Sequence, residues 1–198
     1  MHEFWRNPNA PNRPERYLEP IERSRLLLAV VEPDLRPDWT ILEIGCNVGR
    51  NLEFFREAGA QQLTGIEING EALALLRESY PELGSMATLI NAPIEDVIGS
   101  MAARSFDLVY TMAVLEHIHP DSEWIFGEMA RITRSLLVTV EDEHGVSVRH
   151  TPRNYRQVFE GLGMRQILER RLSGAESLSA GFVARVFKPT EEPAGAVG

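Results

Sequence analysis

One cysteine, Cys46, and one lysine, Lys188, occur in 198 residues. A single thiol excludes an internal disulfide framework and any multi-cysteine zinc site, since each needs further sulfurs. No apolar run approaches the roughly 18 residues that a membrane-crossing helix requires. The opening MHEFWRNPNAPNRPERYLEP lacks a cationic start followed by an apolar stretch, so no secretory signal is expected and the cytoplasm is the expected compartment. Positive charge is also scarce. Twenty basic against 29 acidic residues leave a net charge of −9, which repels phosphate backbones at long range. Nucleic acid is therefore not an expected partner. No repeat is visible at a period of roughly 20–50 residues, which disfavours a solenoid or propeller.

What is present is an ordinary globular balance, 43% hydrophobic and 25% charged, in a length suited to one domain. Residues 1–20, with prolines at 8, 11, 14 and 20, read as an irregular arm. A helix pattern begins at Ile21 and ends before Pro33. Strand-like runs then alternate with helical ones: TILEI (40–44), a helix over 50–59 with Gly59 at its C-cap, QLTGIEI (62–68), a helix over 70–80, and MATLIN (86–91). A weaker helix over 94–103 precedes FDLVYT (106–111), a helix over 121–133 and SLLVTV (135–140). After a polar loop come a helix over 152–163 and two closing strands, 164–172 and 181–188. Continuous Val/Ile/Leu strands between amphipathic helices predict a three-layer, Rossmann-like α/β domain. Its seven-stranded sheet is mostly parallel with helices on both faces, the last strand being antiparallel. The expected boundaries are an arm or lid over 1–20, the domain over 21–189 and a flexible tail over 190–198.

Ligands of open α/β sheets bind at the carboxyl ends of the strands, at the switch point. The first strand ends in Glu43-Ile44-Gly45-Cys46-Asn47-Val48-Gly49, a glycine turn that lets backbone approach a ligand closely. The second ends in Gly65-Ile66-Glu67, where a carboxylate can accept hydrogen bonds from ribose hydroxyls. Together they point to a nucleoside-containing cofactor. The dinucleotide fingerprint GxGxxG is absent, because Asn47 stands in place of its second glycine. GxxxxGK[ST] is absent too, so nucleotide hydrolysis has no support.

ILEIGCNVGRNL, GIEIN and FDLVYTMAVLEHI, in that order over residues 38–140, resemble the first, second-strand and fourth-strand motifs of class I S-adenosylmethionine-dependent methyltransferases. The chain departs from the family at Asn47, where a middle glycine is usual; asparagine tolerates left-handed backbone, so the turn remains feasible. The resemblance implies S-adenosylmethionine as cofactor. It places Glu43 and Gly45 under the methionine part, with Cys46, Asn47 and Gly49 in the same turn. Glu67 would hold the ribose and Ile68 press on the adenine. Asn91 and Ala92 would bracket the adenine edge, and Thr111 and Met112 would approach the sulfonium. Cys46 reads as a small buried residue of the turn.

For the acceptor, His117 follows the fourth strand. Some methyltransferases resembling this one use a histidine there as general base, aided by a tyrosine of the N-terminal arm, for which Tyr17 is the match. A hydrogen-bonded structural histidine is the other reading. No metal is expected: adjacent Glu116 and His117 point apart and no third ligand is evident in the sequence. The segment 141–156 follows the fifth strand and carries His144, Arg149, His150, Arg153 and Arg156. It suggests an anionic small-molecule acceptor, with His150, Arg153 and Arg156 binding it and His144 as a second base, against the plainer reading of a solvated loop. Phe4, Trp5 and Trp124 suit a pocket or the cover of the core equally well. The expected activity is O-methylation of a small molecule. The alternatives are a non-catalytic cofactor-binding scaffold and a nucleic-acid methyltransferase, the latter disfavoured by charge and by the absence of an NPPY-type motif.

Overall fold

In a computed structural model, described for residues 2–19, 21–174 and 181–190, the leucine- and isoleucine-rich runs pair into one sheet in the order β3-β2-β1-β4-β5-β7-β6. Along the chain, α1 (His2–Arg6) and two short 3-10 turns lead into α2 (Glu22–Val31), β1 (Thr40–Ile44) and α3 (Arg50–Glu57). Then follow β2 (Gln62–Ile66), α4 (Gly70–Ser79), α5 (Pro81–Met86), β3 (Thr88–Ile90) and α6 (Ile94–Val97). The second half comprises β4 (Phe106–Met112), α7 (Trp124–Ile132), β5 (Thr133–Asp142), α8 (Tyr155–Gly161), β6 (Met164–Arg171) and β7 (Phe182–Pro189). Neighbours among β1 to β5 pair in parallel, whereas β7 runs antiparallel to both β5 and β6. The expected mostly parallel seven-stranded sheet with an antiparallel last strand is the one observed.

The period-two alternation of β1 divides the core. Ile41 joins Leu26, Leu27, Leu52 and Phe55 on the face covered by α2 to α5. Leu42 and Ile44 join Ile125, Phe126 and Phe159 on the face covered by α7 and α8. Each such side chain contributes about 1.5–3 kcal/mol on burial. From β3 the chain crosses to the other side of β1 to form β4, so the carboxyl ends of β1 and β4 lie side by side where the winding reverses. That is where ligands of such sheets gather.

Several boundaries differ from the sequence expectation. Pro81 starts α5 in its first turn, so Met86, expected at the head of β3, is helical and β3 shrinks to three residues. The helix expected over 94–103 reduces to α6 and a 3-10 turn, Ile98–Ser100. The arm expected to be irregular carries α1. β5 runs ten residues to Asp142, so Glu141 and Asp142 are strand rather than loop. Of the tail expected over 190–198, residues 191–198 lie outside the described residues.

Candidate active site

The turn after β1 is built on three positive-φ residues: Gly45 at 74°, Asn47 at 46° and Gly49 at 73°. A Cβ on Gly45 would lie 2.4 Å from Val114 Cγ2, so the position admits no side chain. Asn47 adopts a left-handed conformation, as asparagine does more readily than most residues. The amides of Gly45 and Cys46 donate to the Ile66 carbonyl at 2.8 and 3.0 Å, tying the turn to the end of β2. There the buried carboxylate of Glu67 accepts the Asn47 amide at 2.9 Å and the Asn69 amide at 2.8 Å. Burial pushes its pKa up, and those two amides oppose the shift. Asn91 Nδ2 donates to the Glu67 carbonyl at 2.8 Å, so Asn91 fixes the backbone behind this carboxylate.

Glu43 is fully buried beneath the turn. Asn51 Nδ2 donates to one of its oxygens at 2.7 Å, and Tyr110 Oη lies 2.9 Å from the other. Burial raises its pKa to about 8, the two side-chain hydrogen bonds lowering it only in part. Cys46 packs against Gly65, where a Cβ would come within 2.7 Å of its sulfur. Burial holds this thiol protonated.

At the other end, Glu141 closes the loop after β4. It accepts Thr111 Oγ1 at 2.6 Å and the amides of Val114 and Leu115 at 2.8 and 2.9 Å. Glu116 accepts the Asp142 amide at 2.6 Å. Burial first, and then the neighbouring Glu141 carboxylate, pushes the pKa of Glu116 up. His117 Nδ1 sits 2.8 Å from the Arg149 carbonyl and therefore carries the hydrogen, leaving the Nε2 lone pair free of that bond. Burial lowers its pKa to about 4, so the ring is neutral at neutral pH. His150 stacks on His117 with ring centroids 4.7 Å apart.

Both ends open into one cavity of about 810 Å³, a size suited to small organic ligands. The N-terminal arm crosses it. His2 Nε2 lies 3.1 Å from Glu95 Oε1, Trp5 packs on His117 at 4.6 Å between ring centroids, and Phe4 lies under the Arg149 guanidinium at 4.2 Å. The buried Arg50 anchors the arm's far end, donating from Nη1 to the Tyr17 carbonyl at 3.0 Å and from Nε to Ser24 Oγ at 2.9 Å. Three buried polar atoms of residues lining the cavity, Trp5 Nε1, Arg23 Nε and Asn47 Oδ1, have no protein partner. Such atoms want a ligand.

Of the residues expected from sequence, Glu43, Gly45, Cys46, Asn47, Glu67, Ile68, Ala92, Met112, His117, Tyr17 and His150 line this cavity. Gly49, Asn91 and Thr111 stand behind its wall, Gly49 close to Leu76 and Thr111 on Glu141. The fold does not bring His144, Arg153 or Arg156 into it. His144 is exposed at the end of β5. The Arg153 guanidinium is buried on the carbonyls of Leu115 and Ile118, at 2.9 and 2.7 Å, and on Glu123. Arg156 pairs with Glu160 one turn along α8. Trp124 faces solvent, half exposed. Sequence reasoning missed Arg23, whose spacing in α2 matches any solvated arginine, and missed Glu116 as a partner of His150, which no local pattern announces.

These features can be set beside known proteins. Residues 42–136 match the family model described as a methyltransferase domain. No curated protein matches in sequence. Among solved structures, magnesium protoporphyrin IX methyltransferase from Synechocystis PCC 6803, with S-adenosylhomocysteine bound, superposes with a TM-score of 0.76 at 12% identity, covering 96% of this chain and 98% of that one. A methyltransferase in complex with its Trm112 activator from Haloferax volcanii gives 0.70 at 14% identity, covering 88% and 92%. An S-adenosylmethionine-dependent methyltransferase from Mesorhizobium loti gives 0.64 at 15% identity, covering 81% and 96%. At these identities the likeness speaks for the fold, while the matched domain and the ordered motifs speak for the activity. Residues 42–136 are thus a methyltransferase domain, and the fold and motifs around it are those of an S-adenosylmethionine-dependent methyltransferase.

Proposed function

We propose that this enzyme methylates an oxygen of a small organic acceptor bearing a negative charge. The observation that carries the reading is the single cavity joining the β1 turn and Glu67 to His117 and Arg149, with the arm laid across it. S-adenosylmethionine supplies a sulfonium methyl open to in-line attack. The unpartnered Asn47 Oδ1 and the clasped Glu67 suit its ribosyl end, and the unpartnered Arg23 suits its carboxylate. Alignment and exclusion of water are then the protein's main contribution.

The acceptor occupies the end walled by Trp5, His117 and His150, where the arm lies across the cavity, and is read as a small molecule in preference to a nucleic-acid strand. A net charge of −9 also disfavours that class. Within the cavity Arg149 is the cation near this end, and it replaces Arg153 and Arg156 as the group that would attract an anion. Residues 1–20 act as a lid over the domain formed by 21–189, and Tyr17 lies where the arm turns back, its pKa raised mainly by burial.

The test is direct. Purified protein is incubated with S-adenosylmethionine carrying a labelled methyl group and a panel of hydroxy acids, phenols and their amide or ester analogues. Label should pass to oxygen, with charged acceptors preferred. Transfer confined to nitrogen or carbon, or preference for the neutral analogues, overturns the corresponding part of the reading.

A further inference from the structure

Glu116 and His117 come from one loop and His150 from another, 33 positions beyond His117, yet each presents one ligand atom within 4.8 Å of the others. Glu116 Oε1 lies 3.8 Å from His117 Nε2 and 3.6 Å from His150 Nε2. Around an ion with bonds of about 2.0–2.2 Å, tetrahedral ligands stand roughly 3.4 Å apart. Two of the three separations need to close by only a few tenths of an ångström.

The surroundings hold these atoms as a metal's ligands are held. Metal-bound histidines donate their other ring nitrogen to a carbonyl or hydroxyl, which fixes the ring. His117 Nδ1 does so to the Arg149 carbonyl at 2.8 Å, and His150 Nδ1 lies 3.0 Å from Ser147 Oγ. The second oxygen of Glu116 takes the Asp142 amide. Arg153 grips the carbonyls on either side of Glu116 and His117, and the Thr151 amide donates to the Glu116 carbonyl at 2.8 Å, which ties the loop of His150 to that of Glu116. Charge argues the same way. Glu116 is 3% exposed, and among the described residues its ion-pair neighbours are these two histidines, with no lysine or arginine. A buried carboxylate without a strong cation is costly, and a dication would compensate it.

We propose that Glu116, His117 and His150 form a site for a divalent first-row transition ion at the acceptor end of the cavity. Two imidazoles and one carboxylate suit zinc, iron(II), manganese or cobalt better than magnesium or calcium, which prefer all-oxygen shells. Three protein ligands leave open coordination positions, and all three residues line the cavity. This deepens the reading above and rests on it for purpose: a hydroxyl bound to the ion loses its proton to solvent more easily, and His117 then serves as a ligand in place of the base inferred from sequence. The sequence offered no third ligand because His150 comes from a loop that only the fold brings near.

The experiment uses the full chain, stripped with a chelator and titrated with cobalt(II). Its visible absorption reports imidazole coordination without any need for turnover. One equivalent should bind with a ligand-field spectrum, and His150→Ala, a half-exposed position whose loss the fold should tolerate, should weaken binding on the order of 100-fold. His117→Ala should do the same. Absence of a stoichiometric spectrum, or binding by both variants as tight as by the unaltered chain, overturns the site. S-adenosylhomocysteine binding, measured by calorimetry on the same stripped samples, separates this from the methyltransferase reading, which survives if the nucleoside binds without metal. Methyl transfer that persists undiminished in the stripped protein but is lost in His117→Ala overturns the metal and makes the histidine a base.

Discussion

The backbone amide of Asn47 donates to Glu67 Oε2 at 2.9 Å, joining the turn after β1 to the end of β2 across 20 residues of sequence. One carboxylate thus shapes the turn and still faces the cavity. Replacing it removes two effects at once. Glu67→Ala should weaken S-adenosylhomocysteine binding by about 1.5–3 kcal/mol, the range for hydrogen bonds to a charged group. Glu67→Gln should recover only part, because the amide nitrogen cannot accept from Asn47 or Asn69. Calorimetry checks both, and unchanged affinity in Glu67→Ala would remove Glu67 from the cofactor site.

Glu43 predicts a pH dependence of stability. Its folded pKa, about 8, lies above the ordinary value of 4.5, so the folded state holds a proton that the unfolded chain releases. The stabilisation is complete below about pH 4.5 and falls as pH rises towards 8, by about 1.4 kcal/mol per unit for one proton. Glu43→Gln copies the protonated acid and should flatten that slope. Urea unfolding at pH 5 through 8 compares the two proteins, and parallel curves would show that Glu43 titrates normally.

Arg185 donates to both oxygens of Glu143, at 2.7 and 2.8 Å, with both side chains buried. Breaking such a pair strands a charge in the interior, so Arg185→Met should cost about 3–5 kcal/mol. The denaturation midpoint should drop accordingly. Replacing Glu143 and Arg185 together by apolar residues should restore part of the loss, and a double variant no more stable than the single one would contradict this account.

Trp5 packs on His117 with ring centroids 4.6 Å apart, which places the arm against the acceptor end. In the proposed lid role, the arm would exclude water during transfer. Trp5→Ala should lower kcat/KM by about 10-fold or more, a loss of about 1.4 kcal/mol of transition-state stabilisation, and leave the unfolding midpoint nearly unchanged. Deleting residues 1–18 should abolish turnover with the fold retained. Normal methylation by the truncated protein would reduce the arm to decoration.

The sequence by itself determined the elements whose signals are local. Largely apolar short runs such as Thr40–Ile44 and Phe106–Met112 bury both faces as central strands, and the β1 turn and Glu67 follow from residue types at fixed offsets from strand ends. The tertiary structure alone decided where the loop after β5 points. Arg153 and Arg156 looked like acceptor ligands because guanidinium groups carry no mark of direction. Arg153 is instead drawn inward by the carbonyls of Leu115 and Ile118, and Arg156 turns outward with the exposed face of α8. The same packing swings His150 onto Glu116 and His117, and seats Trp5 over them. These meetings depend on contacts between distant segments, the Thr151 amide on the Glu116 carbonyl among them, and no short-range periodicity encodes such a contact.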